Sequence, residues 1–188
     1  MYRITGTIQG VAPLLFGAPT TKTIEDLRGS KGGGRFTEDE RMLEALQRVH
    51  QDERGIFIPK WNFKKCLLEG CQRANLKEGR ASMMPYLKAT VFPEDDLLLG
   101  KRTPDDILEV MGKRPPRTGG ACLIKYPSFK TGWQAHFVLT IVDDRRSVEH
   151  IRRALEEAGT LVGLGAWRPE YGRFVLTEWS GKLPLNGK

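Results

Sequence analysis

The N-terminal segment Tyr2–Gln9 alternates apolar and polar side chains, and this pattern constrains the fold more than any other feature of the sequence. Tyr2, Ile4 and Ile8 face one side of an extended chain, and the polar residues between them face the other side. The period of two predicts a β-strand with one face in the core. The opposite face of its sheet is expected to be open to a partner.

Apolar residues at helical spacing, together with start and stop signals, predict four helices. Thr37 and Glu40 form a capping box before the first helix. The pair Thr103-Pro104 is a typical start for the third. Trp61 belongs to the apolar stripe of the second. The predicted helices span about residues 38–50, 61–75, 103–112 and 148–159, and the last two are expected to end at glycines.

The remaining apolar stretches predict strands. Val11–Phe16, which Pro13 interrupts, either extends the first strand through a bulge or forms a loop. A hairpin is expected between Ala121–Tyr126 and Trp133–Val142 because a Pro/Gly-containing turn separates them. The other predicted strands are Ile56–Ile58, Tyr86–Phe92 and the segment that starts at Arg173.

The order of these elements predicts an α+β fold with a ferredoxin-like, RRM-like core. If Asp106–Gly120 is an insertion, the order approximates βαββαβ, in which helices cover one face of an antiparallel sheet. The alternative is a mixed α+β domain whose sheet is covered on both faces. At 188 residues the chain is expected to form a single domain, 1–188, with a flexible basic insertion at 17–36 and a helical and basic-loop insertion at 94–120.

The sequence carries a formal net charge of +7 and has a pI near 9.5. This excess favours a polyanionic partner, most often nucleic acid, although it also suits a protein that is basic for solubility alone. Much of it lies in two Gly/Pro-rich loops without an apolar period, and the triple glycine in the first lacks the spacing of a phosphate-binding P-loop. The loop residues expected to contact phosphates are Arg28, Lys31, Arg35, Lys113, Arg114 and Arg117.

A glycine-rich stretch near the C-terminus, GLGAWRPEYGRF, combines backbone freedom with cations and aromatic rings. Glycines let a backbone approach a ligand or turn sharply, arginines bind phosphates, and aromatic rings stack on bases. Trp167 is equally suited to anchoring the core. The stretch is therefore predicted to be a binding loop, with its contacts at Gly163, Gly165, Arg168, Gly172 and Arg173.

The N-terminal strand YRITGTIQG, the basic insertions and the closing GLGAWRPEYGRF resemble the RAMP superfamily, the RNA-binding proteins of CRISPR effector complexes. The resemblance follows the order of elements along the chain and is specific in the last ~25 residues. It implies a modified RRM core and a glycine-rich loop that contacts RNA backbone, with RNA favoured over DNA and other ribonucleoprotein subunits as partners. A compact or phage-encoded relative outside a CRISPR complex is equally compatible.

Signals for catalysis and cofactors are few, so a non-catalytic nucleic-acid-binding protein that prefers single-stranded RNA, without cofactor or metal, is expected. A metal-independent endoribonuclease that uses His136 is one alternative, and a protein-interaction module or inhibitor of a nucleoprotein complex is another. Three cysteines without a disulfide framework favour core packing in a reducing compartment. Since no apolar run approaches the ~20 residues that cross a bilayer, a cytoplasmic protein without membrane contact is expected.

Overall fold

A computed structural model describes residues 1–19, 37–113, 121–143, 148–181 and 183–184. The helices are α1 Glu38–Leu46, α2 Lys60–Arg73, α3 Met84–Thr90 and α4 Val148–Leu161. The longer strands are β1 Tyr2–Gly10, β4 Gly55–Ile58, β9 Asp106–Lys113, β10 Ala121–Phe129, β11 Gln134–Ile141 and β12 Phe174–Trp179. The shorter strands are β2 Leu14–Leu15, β3 Gln51–Asp52, β5 Lys77–Glu78, β6 Ala81–Ser82, β7 Val91–Pro93, β8 Leu97–Leu98 and β13 Leu183–Pro184.

The main sheet is antiparallel, and its strands are ordered β12-β1-β11-β7, with β13 also paired to β1. Strands β1, β7, β11 and β12 combine with α2 and α4 in the chain order βαββαβ. The ferredoxin-like α+β architecture is therefore confirmed.

The apolar face of this sheet is buried beneath α2 and α4, as the alternation of β1 and β11 predicts. The two helices approach closely where Gly70 meets Ala158, because a Cβ on Gly70 would lie 2.5 Å from the Ala158 Cα atom. Gly159 does not end α4, contrary to expectation, since the helix continues to Leu161. A side chain at Gly159 would not fit, because the Phe174 backbone and ring pack against this residue.

The capping box is confirmed at the start of α1. The Thr37 backbone N donates to Glu40 Oε2 over 2.8 Å, and the Glu40 N donates to Thr37 Oγ1 over 3.3 Å. The helix ends at Leu46 rather than reaching His50. A Glu38–Lys125 ion pair connects its first turn to β10.

The predicted helix at Thr103–Gly112 is wrong, because this segment contains β9. Its residues Asp106–Lys113 pair with β10 over the full length of the strand, and this pairing with the next strand overrides the local start signal. Asp105, expected in the first turn of a helix, instead accepts from Lys130 N over 2.9 Å and pairs with Lys101. The insertion at 94–120 is thus built on strands where the structure describes it.

Two strand predictions are also wrong. Tyr86–Phe92 is mostly α3, in which Leu87 and Thr90 are buried at helical rather than strand spacing. Only Val91 and Phe92 of this segment belong to a strand, β7. The predicted hairpin joins the wrong partners, since β10 pairs with β9 and β2 in a separate sheet while β11 joins β1. Among the described residues, no helix has both the length and the apolar character needed to cross a bilayer.

Candidate nucleic-acid interface

The glycine-rich loop, residues 162–173, connects α4 to β12 and is held in one shape by backbone hydrogen bonds. Leu164 N donates to Gly172 O over 2.9 Å and closes the loop at its base. Two further bonds fix it to the segment after β1: Ala166 N donates to Leu15 O, and Gly172 N donates to Pro13 O, both over 2.8 Å. The loop is therefore part of the folded framework.

The glycines of this loop are required by the fold itself. Gly165 and Gly172 have φ of +78° and +73°, a region that L side chains rarely adopt. A Cβ on Gly172 would overlap the Leu164 carbonyl oxygen, and a Cβ on Gly165 would overlap that of Leu15. A Cβ on Gly163 would lie 2.9 Å from the Tyr171 oxygen. Close approach between segments of the chain accounts for all three residues, and contact with a ligand stays a prediction.

Cys66 attaches this loop to α2. Its Sγ donates to the Gly163 carbonyl oxygen over 3.1 Å, and the side chain is fully buried. Burial raises the pKa of the Cys66 thiol to about 12, so the thiol keeps its proton and acts as the donor. Cys66 and Cys71 both lie in the core, as expected for packing residues.

Cys66 is expected to resist alkylation in the folded protein, because only the thiolate reacts and burial suppresses both its formation and its access. Iodoacetamide at pH 8, followed by peptide mass spectrometry, should leave Cys66 unmodified until urea unfolds the chain. Cys71 is expected to resist alkylation as well, because burial also raises the pKa of its thiol. Modification of Cys66 at the rate of a free thiol in the native protein would contradict this assignment.

Trp167 lies at the outer edge of the glycine-rich loop with 40% of its surface exposed. Its φ is +56°, and its ring meets Tyr126 of β10 edge-on, with 6.3 Å between centroids. The same indole lies beside Gly112 of β9. Trp167 therefore connects the loop to the β9–β10 hairpin and keeps part of its ring accessible.

The two arginines predicted for this loop differ in their surroundings. Arg168 Nη1 lies 3.3 Å from Glu69 Oε2 on α2, and its side chain is 29% exposed. Arg173 is exposed, and no carboxylate among the described residues pairs with it. Its carbonyl oxygen accepts from Val11 N over 2.9 Å, which fixes the backbone beside β1. Of the two, Arg173 is the more available for a phosphate.

His136 lies on the open face of the main sheet, as its position in the alternation predicts. Thr7 of the neighbouring strand β1 places its Oγ1 3.5 Å from His136 Nδ1 and donates to Glu178 Oε2 over 2.6 Å. Further along this face, Arg3 pairs with Glu94 over 2.5 Å. Phe92 of β7 pairs with Thr140 and is exposed at the edge of this face. The described part of the face is otherwise mostly polar, and it is not basic.

The positive charge of the protein lies outside the described framework. The described residues contain 20 Lys and Arg against 20 Asp and Glu, and the remaining residues contain ten against three, which completes the totals of 30 and 23. Four of the seven excess charges belong to residues 20–36 and 114–120, called the two basic segments below. Arg28, Lys31, Arg35, Arg114 and Arg117 lie in them, outside the described residues, and Lys113 is the last residue of β9.

The framework brings the ends of both basic segments to the glycine-rich loop. The first segment begins after Pro19, and Pro19 and Gly165 both line a cleft between the glycine-rich loop and the start of α2. The second segment connects β9 to β10, the hairpin whose Gly112 and Tyr126 contact Trp167. The described residues before the first basic segment and on either side of the second thus lie on the same side of the molecule as the glycine-rich loop.

A cleft of about 300 Å³, called the aromatic cleft here, opens between this loop and the start of α2. Its walls include Phe16, His50, Trp61, Asn62 and Gly165. Trp61 is 62% exposed, which corrects its assignment to the buried stripe of the helix. His50, the last residue of the predicted first helix, lies beyond the end of α1 and is half-buried.

Sequence patterns did not reveal this cleft, because it combines residues from four separate segments. The position of Trp61 in the sequence could have indicated that its side chain is exposed. The residues that α2 buries are Phe63, Cys66, Leu67, Gly70 and Cys71, and Trp61 lies off the stripe that they form. A tryptophan at such a position is exposed and therefore available to a partner.

The sequence matches no protein-family model and no curated protein. Among solved structures, the fold is similar to that of a chain in the cryo-EM structure of the type III-B Cmr-beta bound to cognate target RNA. The TM-score is 0.53 at 14% sequence identity, and the match covers 95% of this chain. The chain spans 60% of the length of that protein. The likeness is one of fold.

Proposed function

We propose that the protein binds single-stranded RNA, with the glycine-rich loop and the two basic segments on its binding side. The observation that carries this proposal is that the described framework is neutral, so the excess charge belongs to other parts of the sequence, and that described residues flanking both basic segments lie beside this loop. Phosphate binding by Lys and Arg supplies most of the sequence-independent affinity for nucleic acid. Arg173 adds an exposed cation at the same location.

The choice of a single strand follows from the accessible aromatic rings. Trp61 and Trp167 expose 62% and 40% of their surfaces on this side of the molecule. Unpaired bases stack on such rings, whereas the bases of a duplex are already stacked on one another. The fold likeness to a chain of an RNA-bound complex supports RNA over DNA.

The open face of the main sheet is the less suitable binding surface. RRM domains stack bases on aromatic residues of this face. Here Phe137 is buried on the opposite side of its strand, and the described polar face carries the Arg3–Glu94 pair and Glu178. Phe92 is exposed at the edge strand β7, where the Lys64 ammonium lies 3.9 Å from its ring centroid. The binding side is therefore placed at the loops.

Binding of a fluorescent single-stranded RNA is expected to weaken steeply with salt. Each phosphate contact contributes about 0.7 to the slope of log affinity against log salt concentration. Five or more contacts give a slope of roughly −3.5 or steeper, measurable by anisotropy between about 50 and 300 mM KCl. A slope near zero would contradict the proposal, and duplex RNA of the same length is the control for strand preference.

The same fold likeness supports a second part of the proposal, that the protein acts within a ribonucleoprotein. The β9–β10 hairpin exposes Met111 and Leu123 on adjacent strands, and such a pair is suited to contact with another subunit. Recovery of the protein from its own cells as a monomer free of RNA and of other proteins would contradict this part.

A further inference from the structure

The walls of the aromatic cleft have the chemistry of a site for a flat, polar-edged ring. The Phe16 and His50 rings meet edge-on with 6.2 Å between centroids, and His50 lies 5.9 Å from the Phe57 ring at a tilt of 31°. The Trp61 indole stands at the rim with most of its surface exposed. A volume of about 300 Å³ is at the small end of ligand sites.

Two polar side chains in this cleft have unused hydrogen-bonding capacity. Within the described ranges, neither the His50 imidazole nor the Asn62 carboxamide has a hydrogen-bond partner. Burial lowers the pKa of His50, against an opposing effect of the Asp96 carboxylate, so the imidazole is neutral near pH 7. A neutral imidazole and an amide together offer donors and acceptors to the edge of a ligand.

The charges around this cleft disfavour a phosphate. None of the described residues that line it is Lys or Arg. The charged group that acts on the His50 pKa is the Asp96 carboxylate, whose Oδ1 accepts from Lys60 N over 2.8 Å at the start of α2. An anion would be repelled here, whereas a neutral ring with donor groups would be accommodated.

We propose that the aromatic cleft takes one unpaired nucleobase of the bound strand, held by Trp61 and by the polar groups of His50 and Asn62. This inference rests on the proposed function, because the base would belong to the RNA whose phosphates lie along the glycine-rich loop. Gly165 belongs to both features and makes them adjacent. A base in the cleft must be unpaired, which gives the preference for single strands a structural cause.

The test compares two oligomers with the same number of phosphates, oligouridine and an abasic ribose-phosphate chain, at one salt concentration. The wild-type protein is expected to bind oligouridine about tenfold more tightly or better, the ratio expected for one stacked base. Trp61→Ala is expected to lose most of this ratio while it binds the abasic oligomer like the wild type. That retained binding also shows that the variant is folded.

Phe92→Ala is the matched control, because Phe92 is 42% exposed on the edge strand β7 and does not line the cleft. It should keep the wild-type ratio. Equal binding of both oligomers by the wild type, or an unchanged ratio in Trp61→Ala, would overturn the nucleobase site while leaving RNA binding intact. If neither oligomer binds, the proposed function fails and the inference fails with it.

Discussion

Replacing Gly172 with alanine is expected to lower the free energy of unfolding by roughly 2–5 kcal/mol. A left-handed backbone costs an L residue roughly 1–2 kcal/mol, and Gly172 has a φ of +73°. The added methyl would also overlap the Leu164 carbonyl oxygen, and the shift that relieves this overlap costs roughly another 1–3 kcal/mol. Urea unfolding followed by circular dichroism measures the sum.

Gly79→Ala is the control for the backbone cost alone. Gly79 has a φ of +59° in the turn between β5 and β6, and among the described residues no atom beyond its chain neighbours lies within 4 Å of a Cβ placed there. Its substitution should cost roughly 1–2 kcal/mol. Equal losses in the two variants would show that the loop yields easily around Gly172, against the close packing described above.

Replacing Arg28, Lys31, Arg35, Arg114 and Arg117 with glutamine is expected to weaken single-stranded RNA binding roughly a hundredfold to a thousandfold near 0.1 M salt. Five lost phosphate contacts remove about 3.5 from the salt slope, since each single-strand contact contributes about 0.7. Anisotropy titrations at several KCl concentrations give both quantities. The unfolding midpoint should stay unchanged, because the described core packing does not depend on these residues.

The control for that variant changes net charge equally at other places. Lys77, Arg80, Lys88, Arg152 and Arg153 are exposed on elements other than the glycine-rich loop and the β9–β10 hairpin. Their replacement by glutamine should reduce affinity by less than about tenfold, through the weaker long-range field. If both sets weaken binding equally, net charge alone governs the interaction and the assigned binding side is wrong.

Local patterns predicted those parts of the fold that depend on neighbours in sequence. The alternation of β1 and β11 predicted which of their residues are buried, and Thr37 with Glu40 predicted the start of α1. The segment Asp106–Lys113 was mispredicted because its conformation is set by β10, a strand that follows later in the chain. Pairing at that distance leaves no local period that distinguishes it from a capped helix.

In the candidate site, too, some residues were predicted from the sequence, whereas their contacts depend on tertiary packing. Arg168 and Arg173 were found from composition, but the Arg168–Glu69 pair depends on how α2 packs against the glycine-rich loop. The aromatic cleft depends on contacts between segments, since His50 and Trp61 meet Gly165 only after the fold has formed. Residue type shows what a side chain can bind, and tertiary packing decides which side chains share a site.

Helix α2 sets the spacing between side chains on the proposed binding side. Trp61 lies in its first turn. In the middle of the helix, the Cys66 thiol donates to the Gly163 carbonyl oxygen. About one turn later, Glu69 pairs with Arg168. An α-helix rises about 1.5 Å per residue and is stiff over this length, so it fixes the separation between the exposed indole and the loop. Folding therefore preorganises this part of the surface, so its side chains need not be repositioned when an RNA strand binds.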